Sequence, residues 1–265
     1  MVVLDRIRLT GELDSRVFPS GKTRPFFMAN AHPFFKVKSM CGRFSLSGDI
    51  DFYAEYFGAD PVSPGLAASW NVAPTDDVYV VAEREGVRSL GTMQWGLVPH
   101  WAKDSKSIQI NARSETVATA PIFRDSFARK RCIIPADGFY EWESGSKSPH
   151  WIFRADGYPV GFAGIWASRK GVDGDWVRTC AILTASSSGV ITPLHARMPI
   201  ALDPINWAAW LDRDQTDAEA ALALLEPIDA EIWMERPITK RVNSVRNNDA
   251  SLHDPPEEEA QLRLV

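Results

Sequence analysis

Six short runs rich in β-branched and aromatic residues lie in the middle of the chain, at 78–82, 88–95, 131–135, 151–154, 159–166 and 176–185. Runs of this length and composition suit a pleated, half-buried surface better than a helix. The turn signal Glu85–Gly86 between the first two marks a hairpin. Strands need partners for their backbone polar groups, so six of them require a sheet. Helical signals flank this region. Ser47 and Asp49 can both cap a helix over 51–57, and Asp203-Pro204 places a cap and a proline at the start of another. Thr216-Asp-Ala-Glu219 has the form of a capping box before a further apolar stretch. The expectation is one α+β domain from about residue 41 to 249, strand-heavy in its middle, with 238–242 as a last strand. No internal repeat is visible.

The ends read differently. Residues 1–39 mix Gly, Pro and Ser turns with short apolar pieces and sustain no period. They are read as an N-terminal extension, either disordered or the product of an upstream start assigned in place of Met40. Residues 250–265, with Glu257, Glu258 and Glu259 in a row, are read as a loose acidic tail.

Composition excludes several classes. With 45% apolar and 24% charged residues, the chain of 265 can bury an ordinary globular core. No apolar run is long enough for a membrane span, and the N-terminus lacks the apolar core of a secretory signal. Three cysteines, Cys41, Cys132 and Cys180, make no disulfide framework, so a reducing, cytoplasmic setting is expected. They also lack the paired spacing of a zinc module. The net charge of −5 argues against a nucleic-acid partner when taken alone. However, residues 84–131 carry nine Lys or Arg against four acids, and phosphate binding needs a local patch rather than a basic whole.

Four segments concentrate reactive side chains: Cys41-Gly-Arg-Phe, Asn111-Ala-Arg-Ser-Glu-Thr, Asp137-Gly-Phe-Tyr-Glu-Trp and Leu194-His-Ala-Arg-Met-Pro. A free cysteine is usually a small buried hydrophobe. Cys41 differs because it follows Met40. If it becomes the first residue, it carries an α-amine of pKa near 7.7–8.0 beside a thiol. Such an amine forms an imine with an aldehyde, and the thiol then closes a five-membered thiazolidine intramolecularly. Asn111, at an expected strand end, either orients a reacting group or satisfies a turn. Arg113 shares its face if the strand continues, and its fork of donors suits phosphate. Glu141 lies between two aromatics. It is either a carboxylate tuned for acid–base work or a strand residue facing solvent, with Glu143 as a decoy. His195 sits in a Pro-bounded loop beside Arg197, either as a proton shuttle or as an incidental loop histidine. Among ten tryptophans, Trp95 is assigned to the core and Trp101 to the surface, where it could stack on an unpaired base.

Taken together, CGRF, WNVAP (70–74), WGLVPHW (95–101), NARSET (111–116), DGFYEW, LHARMP (194–199) and RVNSVRNND (241–249) resemble the SOS response-associated peptidase (SRAP) family over about four-fifths of the chain. The resemblance implies a compact α+β domain around a twisted, barrel-like, mostly antiparallel sheet with flanking helices. It implies covalent sensing of abasic sites in single-stranded DNA through a thiazolidine crosslink. Cys41 would be the nucleophile, Asn111 would position the reacting groups, Glu141 would open the sugar and His195 would shuttle protons. Arg43 and Arg113 would contact phosphates, Trp101 would stack on a base, and Thr184 would hold the backbone nearby. The chemistry requires no cofactor and no metal, and a monomer is expected. The departure from the family pattern is the 39-residue extension, which would leave Cys41 without an α-amine unless translation starts at Met40 or autoproteolysis releases it. Two rivals stay open: a thiol peptidase built on Cys41 and His195, and a non-covalent single-stranded DNA-binding module.

Overall fold

The computed structural model describes residues 42–102, 108–171, 173–226 and 228–256. Its first half runs β1 (Phe44–Leu46), α1 (Ile50–Phe57), β2 (Asp60–Pro61), β3 (Ser69–Val72), β4 (Asp77–Arg84) and β5 (Val87–Trp95). Then follow β6 (Asn111–Arg113), α2 (Ser114–Val117), α3 (Arg124–Arg129), β7 (Arg131–Ala136) and β8 (Gly138–Trp142). The second half comprises β9 (Pro149–Arg154), β10 (Val160–Lys170), β11 (Trp176–Ser186), β12 (Arg197–Pro199), α4 (Trp207–Leu211), α5 (Ala218–Ala223) and β13 (Trp233–Pro237). All six runs expected as strands are strands, and Glu85–Gly86 is the turn between β4 and β5, with both residues at positive φ.

Strands β11, β10, β7, β4 and β5 pair in sequence, and β5 pairs back onto β11 at Thr179↔Gln94 and Cys180↔Trp95. The ring is therefore a closed five-stranded barrel, which removes the free edges an open sheet would expose. Neighbours around the ring are antiparallel except at this closure. A second sheet, in the order β13-β9-β8-β1-β3, packs beside it. The shared core runs through both, with Phe44 edge-on to Trp95 and Phe162, and Phe139 edge-on to Phe162 and Trp233. The barrel wall is tight. A Cβ on Gly164 would come within 2.9 Å of Cys132 Sγ and Ile134, so only glycine fits there.

Local chemistry places the helices. Asp49 caps α1 by accepting from Phe52 N at 2.8 Å, and Gly58 ends it in the left-handed region. Arg131 starts β7 with a buried guanidinium that donates to the carbonyls of Phe127, Ala128, Trp210, Asp212 and Gln215. One side chain thus satisfies carbonyls around the C-terminal ends of α3 and α4, which have no partner within their own helices.

Three expectations are corrected. The last strand is Trp233–Pro237 rather than 238–242. Thr239 instead caps a 3-10 turn, Lys240–Asn243, by accepting from Arg241 N. The β-branched residues at 238–242 are buried for packing, not for pairing. The cap of α5 is Asp217, whose carboxylate accepts from Glu219 N and Ala220 N, so Thr216 and Glu219 form no capping box. The start of the expected loose tail is packed. Ala250–His253 forms a 3-10 turn with Leu252 fully buried and His253 stacked on Trp151. No helix among the described residues is long and apolar enough to cross a membrane.

Candidate functional site

Chain entry and Glu141 are brought together by the β1–β8 ladder. Phe44 is opposite Phe139, and the Arg43 carbonyl accepts from Tyr140 N at 3.1 Å. The pairing ends there, with Gly42 one residue before Arg43 and Glu141 one residue after Tyr140. Cys41 itself lies outside the described residues. Glu141 is only 4% exposed, which removes the reading of a strand glutamate facing solvent. Glu143 lies past the end of β8, in a turn whose backbone it anchors through Ser148 and Lys147, and it is exposed. Glycine is required at the start of this strand, because a Cβ on Gly138 would lie 2.4 Å from the Ile152 carbonyl.

The Asn111 segment is built onto the end of β11. Strand β6 pairs in parallel with it, Asn111 beside Ile182 and Arg113 beside Thr184. Trp95 Nε1 donates to the Ile110 carbonyl at 2.9 Å and pins the approach to this strand to the barrel. Thr184 is fully buried, and its hydroxyl donates to the Ala112 carbonyl at 3.4 Å. It therefore holds β6 from behind, and Arg113 is the exposed member of the pair.

The His195 loop is tied to both neighbours. Ser144 Oγ, just after β8, donates to the Leu194 carbonyl at 3.4 Å. Arg197 forks onto both Glu115 oxygens at 2.6 and 2.8 Å and donates to the Thr184 carbonyl at 2.6 Å. This contact holds the Glu115 carboxyl below the usual range. His195 Nδ1 lies 3.1 Å from Arg197 N and 3.3 Å from the Arg197 carbonyl, so the backbone of Arg197 holds the ring in either tautomer. His195 is partly exposed. Hydrogen bonds thus link three of the four segments in a chain running from β8 through the His195 loop to α2. The β1–β8 ladder adds the fourth.

Two arginines expected to serve alike are placed differently. Arg43 is half-buried, and its Nη1 donates to Asn71 Oδ1 at 2.7 Å and to the Val242 carbonyl at 3.0 Å. Asn71 Nδ2 donates in turn to the carbonyls of Val242, Ser244 and Asn247. The pair fastens the entry of the chain to the segment 242–247, so the role visible for Arg43 is internal rather than that of an open phosphate contact. Asn71, Glu115 and Arg197 lie within the motifs that carry the family resemblance, with no individual role expected of them. Their function is to hold other segments, and spacing alone carries no signal for that.

Trp95 is buried and Trp101 is 56% exposed, as the sequence suggested. Among its described residues, the basic stretch 84–131 does not form one patch. Arg131 is buried in the fold, Arg88 pairs with Glu83, and Arg84 pairs with Glu85. Cys132 and Cys180 are fully buried, and desolvation pushes both thiols far above their ordinary range. Neither can supply a thiolate near neutral pH. Among the described residues, no group of three or more His, Cys, Asp or Glu is arranged to hold a metal.

Comparison with known proteins places this arrangement. The family model of the SOS response associated peptidase (SRAP) matches residues 40–245. The chain belongs to the SRAP family. An abasic site processing protein of Bacillus subtilis (strain 168), YoqW, is 36% identical over 220 residues, covering 80% of this chain and 98% of that protein. The abasic site processing protein YedK of Escherichia coli (strain K12) is 33% identical over 224 residues, 82% of this chain and all of that one. A solved structure from Bordetella bronchiseptica shares the fold at TM-score 0.65 and 27% identity, covering 75% of this chain and 100% of that chain. Another from Bacteroides thetaiotaomicron, 24% identical, shares it at TM-score 0.72 over 81% of this chain and 99% of that one. The SRAP match begins at Met40, the residue before Cys41, and it takes in every site segment described above.

Proposed function

We propose that this SRAP protein processes abasic sites in single-stranded DNA and captures them covalently through Cys41. The relatives named abasic site processing proteins support the substrate. The observation that carries the chemistry is the pairing of Arg43 and Phe44 with Tyr140 and Phe139, which sets the residues that follow Cys41 against the strand that carries the buried Glu141. The inertness of the two other thiols supports the same nucleophile.

An abasic sugar is mostly a closed hemiacetal. Glu141 transfers the proton that opens it, exposing the C1′ aldehyde. The α-amine of Cys41 adds to C1′, and loss of water, with protons carried by His195, leaves an imine. The Cys41 thiol then adds to the imine carbon while the nitrogen takes up the thiol proton. The product is a thiazolidine, and the released water accounts for the sugar oxygen. Each ring-closing step is intramolecular, so the adduct is long-lived. Asn111 orients the reacting groups from the end of β6, and Thr184 holds that strand in register. Arg113 and Trp101 receive a phosphate and an unpaired base, and Arg43 holds the segment after Cys41 in place from inside the fold.

This chemistry needs Cys41 at the N-terminus, by initiation at Met40 or by cleavage before Cys41. The test is the intact mass of the protein expressed from its own ribosome-binding region, alone and after incubation with an oligonucleotide bearing one abasic site. A mass beginning at Cys41 and a heat-stable adduct lost in Cys41→Ala are expected. A mass retaining residues 1–39 with no adduct would overturn the mechanism.

A further inference from the structure

Glu141 does not stand alone on its face of the sheet. In the β8–β9 ladder it is directly opposite His150. Cross-strand partners share a face, with Cβ atoms about 4.5–5.5 Å apart. In the next ladder, Glu235 is opposite Ile152, two residues from His150 and on the same side. Glu141, His150 and Glu235 therefore form a row across three strands, next to the Phe139–Trp233 contact that ends the aromatic core. His150 Nδ1 is hydrogen-bonded to the Glu235 carboxylate. Its Nε2 has no hydrogen bond among the described residues. The row is graded from inside to outside: Glu141 is 4% exposed, and the side chains of His150 and Glu235 are 15% and 24% exposed.

A buried carboxyl whose proton is not returned by the substrate must recover it from solvent. The loop carrying His195 is tied down at the end of β8 through Ser144 and Leu194, and the row offers a separate route. We propose that His150, braced by Glu235, is a positioning residue for Glu141 and the relay through which Glu141 exchanges protons with water. Nε2 takes the proton that Glu141 releases, Nδ1 passes its own to Glu235, and Glu235 hands it to water. The return path reverses each transfer, so the cycle gains no proton. Glu235 fixes the ring so that Nε2 is the free nitrogen, as a carboxylate does for a catalytic histidine. The other charged groups around His150 are Glu143, Lys240 and Arg241, which line the same groove. Arg241 is occupied by Asp249.

The inference rests on the acid–base reading of Glu141, and the test separates the two. Single-turnover adduct formation would be followed from pH 5 to 9 for the unaltered protein, Glu141→Gln, His150→Phe, His150→Gln and Glu235→Gln. Affinity would be measured on an oligonucleotide with a tetrahydrofuran site, which has no aldehyde. His150→Phe should slow the adduct about tenfold at neutral pH, part of the roughly 10²–10⁴ that a positioned acid–base group supplies. It should also displace the pH–rate profile and leave affinity unchanged. Glu235→Gln, which keeps the histidine, should displace the profile the same way with a smaller loss. A full rate in Glu141→Gln would overturn the acid–base reading and this inference with it. A slow Glu141→Gln beside His150 and Glu235 variants whose profiles superimpose on the unaltered one would overturn the relay alone.

Discussion

Arg197 holds Glu115 in a two-point grip, with Nη1 and Nη2 at 2.6 and 2.8 Å from the two carboxylate oxygens, 82 residues apart in the chain. Because Nη2 also reaches the Thr184 carbonyl, this one guanidinium sets the distance between the His195 loop, α2 and the end of β11. Arginine is needed for the fork geometry, since a lysine ammonium offers only a point charge.

Arg197→Lys should therefore slow adduct formation by loosening His195 and Asn111, with little change in thermal stability, because Glu115 is half exposed and exposed pairs contribute little. The pH dependence follows from the lowered Glu115 pKa. A depressed carboxyl contributes stability above its unfolded pKa of about 4.3, and that contribution is lost as pH falls through the lower folded value. The melting-temperature gap between the unaltered protein and Glu115→Gln should narrow as pH falls below about 4.3 and vanish under the lower folded value. A gap that persists there would contradict the pairing.

His253 is expected to act as an acid-sensitive lock on the C-terminal segment. Burial lowers its pKa to about 4, and its Nε2 meets the Tyr140 hydroxyl at 2.8 Å while its ring stacks on Trp151 at 4.0 Å. The unfolded chain binds this proton below about pH 6.5 and the folded one only near pH 4. Stability should therefore fall as pH drops from about 6.5 to 4, by roughly 2 kcal/mol after allowing for partial exposure. Thermal melts across this window should flatten in His253→Phe, which keeps the stack and removes the titration. An unchanged slope would exclude His253 as its source.

Trp101→Ala should weaken binding of single-stranded DNA and leave the melting temperature within a degree or so, because the ring is 56% exposed. Base–aromatic stacking is worth about 1–3 kcal/mol, or roughly five- to 150-fold in affinity. Fluorescence anisotropy with a labelled oligonucleotide reads this directly, and equal affinities would remove Trp101 from the DNA path.

Arg131→Met should cost about 3–5 kcal/mol of stability, because it strands buried carbonyls that have a charged donor now. Urea unfolding would show the loss as a lower midpoint at similar slope. A loss below about 1 kcal/mol would mean that water replaces the guanidinium.

The local patterns in the sequence were enough to determine the strands of the barrel, the start of the first helix to within two candidate caps, the split between Trp95 and Trp101 and the segments that meet at the site. Each depends on near neighbours: side-chain alternation, a capping oxygen, a β-branched run. Local reasoning failed where packing overrode pattern. Residues 238–242 look like a strand because their apolar side chains are buried, yet the pairing belongs to Trp233–Pro237. Only the tertiary structure decided that β5 closes the barrel onto β11, that Glu141 faces inward opposite His150, and that Arg43 points into the fold. The closure and the placing of Arg43 depend on contacts between residues tens to hundreds of positions apart, and the inward face of Glu141 depends on which side of its hairpin the core covers. Such contacts form only when the whole core is buried at once, and no single segment carries that information.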